Sequence, residues 1–241
     1  MAPSCCWFLA FAWVWWQPLL LVAAKEPQGE GCSAKCGNVT ISHPFWLTDI
    51  ETGRSCGSPD FEVTCFNNSS PVLRSSIPFS FGFPIINISY EEDRLHVVDL
   101  GKMQILPTSD SCQAPMLNTS VKLGHPFRVD PGSLNLVLYN CTEAAAAAAA
   151  RGDRELVQTT AQCGKESKVL VRAGGRYNES SDYGGYVGCN AIILPVMGSS
   201  GEANASDYVR LISDGFLLTW DEPAPLPCKF THQLIFSQVR S

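Results

Sequence analysis

The chain has 241 residues, with 17 basic against 23 acidic side chains and a net charge of −6 at pH 7. That acidic balance excludes nucleic acid as a partner. Eleven cysteines, crowded most densely between Cys32 and Cys65, argue for an oxidising compartment rather than the cytosol.

The N-terminal residues Trp7 to Val22 are apolar except for Gln17 and Pro18, and they end in Val22-Ala23-Ala24. This is the pattern of a secretory signal over residues 1–24, cleaved before Lys25. The competing reading is an uncleaved anchor, against which the short apolar stretch and Pro18 both count. Cleavage removes Cys5 and Cys6 and leaves nine cysteines: Cys32, Cys36, Cys56, Cys65, Cys112, Cys141, Cys163, Cys189 and Cys228. Nine is odd, so one thiol lacks a partner within the chain, and the sequence does not determine how the others pair. A Cys32-x3-Cys36 or Cys228-x3-His232 zinc half-site is the alternative, and oxidising export favours disulfides over it.

Eight of the ten asparagines stand in Asn-X-Ser/Thr: Asn38, Asn67, Asn68, Asn87, Asn118, Asn140, Asn178 and Asn204. So many acceptors behind a signal predict an N-glycosylated, extracellular protein, with the adjacent Asn67 and Asn68 sharing one glycan.

Within the cysteine-rich block, Pro44 rules out a regular strand interior, and Phe45 and Trp46 are grouped rather than alternating. They form either a small core or a contact surface. The run from Pro71 to Pro84 holds three phenylalanines and three prolines, and is expected to be extended and packed on that core. Ile86, Ile88 and Tyr90 alternate with polar residues, Glu91-Glu92-Asp93 supplies a turn, and Leu95, Val97 and Val98 return, which predicts a hairpin. A boundary is expected between Pro107 and Pro115.

Leu134 to Tyr139 is short and apolar on both faces, as a central strand is, and Cys141 is placed to staple it. The seven alanines from Ala144 to Ala150 are too few for a stable isolated helix and predict an insertion in an exposed loop. Arg151-Gly152-Asp153 beside them is read as a chance match to an adhesion tripeptide. Lys168 to Ala173 and Tyr186 to Met197 read as strands. Asn204 to Ser213 reads as a short helix with Ser206 or Asp207 as N-cap and Gly215 as its stop, and Phe216, Leu218 and Trp220 alternate as a last core strand. The fold class expected is therefore all-β, with little helix.

Catalysis has no support in the residues. His43, His96, His125 and His232 lie in separate segments, and no nucleophile elbow, phosphate loop or kinase motif is present. No cofactor and no metal is expected. Carbohydrate binding would need exposed rings and, for a uronic acid, cations. The first domain offers Phe45, Trp46, Phe61 and Phe66 as rings, with Lys35 and Arg54 as its nearest cations, and Lys35, Phe45, Trp46 and Arg54 are the candidate ligand residues. From Lys25 to Asp110 there are six basic and eleven acidic residues, a balance that opposes a polyanion unless cations are grouped or calcium bridges the carboxylates.

The order Cys-x3-Cys-Gly-Asn-Val-Thr-Ile-Ser-His-Pro-Phe-Trp from Cys32, then Cys56-Gly57 through Asp60-Phe61 to Cys65, and Ile88-Ser89-Tyr90 leading to Leu95-His96-Val97-Val98-Asp99, resembles the galacturonan-binding ectodomain of plant wall-associated receptor kinases. It is most similar to the leaf-rust-resistance branch. Tyr139-Asn140-Cys141, the run from Cys189 to Pro195-Val196, and Gly215 to Trp220 before Cys228 resemble the carboxy-terminal domain that follows it in those receptors. The resemblance implies two disulfide-stapled β domains over residues 32–107 and 112–228, and a ligand that is cell-wall pectin or a co-receptor protein. Family members continue with a further cysteine, a membrane span and a kinase, whereas here residues 229–241 diverge. That departure makes Cys228 the candidate unpaired thiol and the first eight mature cysteines the candidates for disulfides. The alternative is a soluble decoy or structural wall glycoprotein that contacts proteins and no sugar.

Overall fold

A computed structural model describes residues 34–48, 57–103, 105–106, 117–161, 167–178, 185–198 and 202–221. The expected signal at 1–24, Cys32, Arg54, Cys56, the boundary at 107–115, Cys112, Cys163, Cys228 and the tail 229–241 lie outside the described residues.

In the first half the chain forms β1 (Ala34–Cys36), β2 (Val39–Ile41), β3 (Trp46–Leu47), β4 (Glu62–Phe66), β5 (Ser70–Leu73), β6 (Phe83–Ser89), β7 (Arg94–Val97) and the single-turn α1 (Leu100–Met103). The second half adds β8 (Phe127–Val129), β9 (Leu134–Thr142), α2 (Glu143–Gly152), β10 (Val157–Gln158), β11 (Ser167–Arg176), β12 (Cys189–Val196), α3 (Tyr208–Asp214) and β13 (Phe216–Trp220). Strand dominates, as the composition of turn residues and short apolar runs predicts.

Three sheets result. β1 and β2 form a hairpin, a four-stranded sheet runs β10-β11-β9-β12, and a seven-stranded sheet runs β3-β4-β5-β6-β7-β13-β8. The seven-stranded sheet is assembled from both ends of the chain. β13 lies between β7 and β8, with Phe216 opposite Val97, Leu218 opposite Leu95 and Trp220 opposite Phe127. Its alternation is the expected one, with Phe216, Leu218 and Trp220 buried. Gly215 enters this strand at φ +74, and a Cβ there would lie 2.1 Å from the Val97 carbonyl oxygen, so only glycine lets α3 end against β7.

The core beneath the sheet centres on aromatic rings drawn from distant segments. Phe45 packs edge-on against Trp220 at 5.0 Å and Phe61 at 5.3 Å, and stacks with Phe127 at 6.1 Å. Such offset and edge-on pairs add attraction beyond the area they bury. Tyr90 caps the cluster, its hydroxyl accepting from the Ser42 amide at 2.8 Å and donating to the Thr40 carbonyl at 2.9 Å.

The four-stranded sheet contributes one face to the same core through Leu136, Leu138, Val169, Val171 and Leu194. β9 is its central strand, as its two-sided apolar pattern predicts, and Cys141 is bonded to Cys189 directly opposite on β12, with Cα atoms 4.0 Å apart. Cys36 and Cys65 form a second disulfide that ties the β1–β2 hairpin to β4.

Three local expectations are corrected. The alanine tract is helical: Thr142 Oγ1 accepts from the Ala145 amide at the N-terminus of α2, and Ala146 and Ala149 are buried against Val137, Tyr139, Cys141 and Leu170. Packing on the sheet supplies what an isolated seven-residue helix lacks. The β6–β7 hairpin carries a bulge between Ile85 and Asn87, which puts Ile85 opposite Val97 in the core and turns Ile86 out to solvent. The 71–84 run is extended only at its ends, and its middle projects as a loop.

Candidate carbohydrate-binding surface

Of the four residues expected to bind ligand, Lys35 is exposed on β1, opposite Thr40, and Arg54 lies outside the described residues. Phe45 and Trp46 are both buried. Phe45 is surrounded by the other core rings. The Trp46 indole donates from Nε1 to the Ser58 carbonyl at 2.9 Å, and Gly57 lies over its ring so closely that a Cβ would be 3.1 Å from Cδ1. Neither ring therefore offers a face to a sugar.

Exposed rings occur elsewhere in the first half, at Phe66, Phe79 and Phe81. Phe66 ends β4 beside the tight turn at Asn67 and Asn68, which have φ of 51° and 54°. Phe79 and Phe81 lie in the β5–β6 loop. Sequence reasoning missed these two because the run with its three phenylalanines and three prolines read as extended segments packed on the core; Ser75, Ser76, Pro78 and Ser80 around them were the signal of a projecting loop.

The cations of the sheet differ in how firmly they are engaged. On the outer face, Arg94, Thr219 and Arg128 stand side by side on β7, β13 and β8. Arg94 pairs with Asp130 at 3.2 Å and Arg128 with Asp221 at 2.7 Å. Among the described residues Arg74, just past β5, pairs with Glu62 alone, at 4.0 Å, and its side chain is 81% exposed. An exposed pair that loose contributes almost nothing to stability and leaves the guanidinium free to meet another anion.

A third group of charges is enclosed. Asp99 accepts hydrogen bonds from Thr119 Oγ1 at 2.9 Å, from the Gly101 amide at 2.9 Å and from Lys122 Nζ, while Lys102 Nζ stands 3.6 Å away and donates to the Leu117 carbonyl at 2.5 Å. Burial pushes the Lys102 ammonium down from its ordinary value, Asp99 works against that shift, and Lys122 adds to it. Lys122 Nζ also sits 4.7 Å over the Phe83 ring. The cluster is sealed from ligands and joins the end of β7 to the 117–122 segment.

Arg151-Gly152-Asp153 ends α2, with its acid committed. The Asp153 carboxylate accepts from Tyr186 Oη at 2.7 Å and stands 3.4 Å from Arg172. The Tyr186 hydrogen bond does most to hold Asp153 below the usual carboxylate range, and burial together with that bond raises the Tyr186 phenol to about 12. An open groove of about 560 Å³ lies between the β10–β11 edge and the start of α3, lined by Arg154, Glu155, Glu202, Asn204, Asp207 and Arg210 among others. Its acids outnumber its bases, and Arg210 already pairs with Asp207 at 3.6 Å, a poor setting for an anionic ligand.

The sequon asparagines Asn38, Asn67, Asn68, Asn87, Asn178 and Asn204 are exposed, whereas Asn118 and Asn140 are half-buried, with Asn118 Oδ1 accepting from the Ile193 amide at 2.9 Å. Among the described residues no group of three or more metal-ligating side chains comes together, and no helix is long and apolar enough to cross a membrane.

Comparison with curated proteins returns no match, and neither does comparison with solved structures. A family model described as wall-associated receptor kinase galacturonan-binding matches residues 32–99, the stretch from Cys32 to the buried Asp99. Residues 32–99 thus carry the pattern of a wall-associated receptor kinase galacturonan-binding domain.

Proposed function

We propose that the chain is a non-catalytic, secreted or cell-surface ectodomain that binds pectic galacturonan. The observation that carries this reading is the family match over residues 32–99. The exposed Phe79 and Phe81 rings and a loosely held guanidinium at Arg74 support it, since a uronic acid asks for both. In this reading the first 24 residues are a cleaved signal, the exposed sequons carry glycans, and the chain acts outside the cell at the wall. The segment 112–228 is the companion domain seen in such receptors, and its role is to complete the fold that presents the binding face.

A second reading, a decoy or structural wall glycoprotein that contacts proteins and no sugar, draws on the net charge of −6, which repels a polyanion at long range. Titration of oligogalacturonides at two salt concentrations, with and without calcium, separates the two. Galacturonan binding is expected to weaken as salt rises, because exposed ion pairs are screened over about 8 Å at physiological salt. Folded protein that binds under none of these conditions would overturn the galacturonan reading and leave the second in its place.

A further inference from the structure

We propose that the β5–β6 loop, residues 74–82, is the element that grips the sugar, with the Phe79 ring as its stacking face and Arg74 as its carboxylate partner. This rests on the galacturonan reading and names the site within it. Phe79 has φ +61 and is fully exposed, with a relative accessibility of 109% for the residue. A bulky side chain in the left-handed region is strained, and a ring wholly in water recovers none of that strain by burial. Phe81, two residues on, is 47% exposed. Among the described residues neither ring belongs to the hydrophobic core that buries Phe83 beyond them.

The loop is also held in place. The Ser76 amide donates to the Lys122 carbonyl at 2.9 Å, Ser76 Oγ to the Val121 carbonyl at 3.3 Å, the Ile77 amide to Ser75 Oγ at 3.2 Å and the Ser80 amide to the Ile77 carbonyl at 3.2 Å. A loop fixed in this way presents its rings without an ordering cost at binding. Its two ends are pinned at the Leu73–Phe83 pair of neighbouring strands, so Arg74 and Phe81 both start within a few residues of one rung of the sheet.

The chemistry fits galacturonan, with the ring and the guanidinium meeting one unit or two neighbouring units of the polymer. A galacto-configured pyranose has a face lined by C–H groups, which an aromatic ring covers, and a carboxylate at its rim, which a guanidinium binds in bidentate fashion. Protein docking is the weaker account of the same residues, because a stable interface buries about 800 Å² on each partner, and here serines and a proline separate the apolar side chains of a single loop.

The test uses the whole secreted chain and two probes, an oligogalacturonide and its fully methyl-esterified form. Phe79→Gly removes the ring and also the strain, so its melting temperature should equal or exceed that of the wild type, while affinity for both probes falls by about two- to tenfold, the range expected of one aromatic contact. Arg74→Gln should weaken the acid probe alone and flatten its salt dependence. Phe66→Ala, at the far end of β4, should bind as the wild type does. The site assignment is overturned if the wild type binds and Phe79→Gly binds equally well, or if Phe66→Ala loses as much. A folded wild type that binds neither probe overturns the galacturonan reading and this assignment with it.

Discussion

Asp99 neutralises one of two ammonium groups in a place from which water is excluded, so the Asp99, Lys102 and Lys122 cluster carries a surplus positive charge when all three are ionised. Asp99→Asn leaves two buried cations unpaired and is expected to cost about 3 to 5 kcal/mol, read as a lower urea midpoint with an unchanged slope. Lys102→Met removes the surplus charge at the price of one donor to the Leu117 carbonyl, and should stay within about 1 kcal/mol of the wild type. The pH dependence follows from the direction of the Lys102 shift. Because its folded pKa lies below the unfolded value of 10.5, the unfolded chain binds more protons across that window. Stability therefore rises with pH from the lowered value up to 10.5. As the pH climbs through the window the wild type should gain stability relative to Lys102→Met; parallel curves would show that Lys102 is not the group responsible.

At the scale of elements, α2 shows how far tertiary packing overrides propensity. Ala147 faces solvent, so Ala147→Gly should cost only helix propensity, about 1 kcal/mol. Ala146 packs on Tyr139 and its neighbours, so Ala146→Gly should also lose a buried methyl group, for a total of about 2 kcal/mol. Equal urea midpoints for the two variants would mean that α2 does not bear on the sheet in solution. The alanine tract was legible as helix-forming but not as helical, because neither the Thr142 cap nor the apolar face of β9 is marked in the tract itself. β9 and β13 were legible because their patterns report burial directly: two-sided in Leu134 to Tyr139, one-sided in Phe216, Leu218 and Trp220. The hairpin was half legible, since a bulge adds a residue without leaving a signature in polarity, and Ile86 took the place in the pattern that Ile85 holds in the core. For the candidate site, grouping Phe45 with Trp46 gave no way to tell core from platform. The decision came from Gly57 and Ser58, whose position over the indole depends on folding.

For the whole molecule, the segment that matches the galacturonan-binding family is not a self-sufficient sheet. It lacks β13 beside β7, Trp220 and Phe127 beside Phe45, and Lys122 beside Asp99. Residues 32–99 produced alone should show no cooperative unfolding and little amide protection, while a chain extending through residue 221 should show both. A fragment that melts cooperatively would mean that the second half is merely appended. The position of β13 also sets a schedule for synthesis. β7 ends at Val97 and its neighbour begins at Phe216, so at 5 to 20 residues per second the ribosome takes roughly 6 to 24 s to deliver the partner. Hairpins close in microseconds, so β6 and β7 stand paired through that interval with one edge of β7 open, its amides and carbonyls available to any passing strand. A nascent chain of this design is most exposed to mispairing along Arg94 to Val97, and it is there that a chaperone has most to protect.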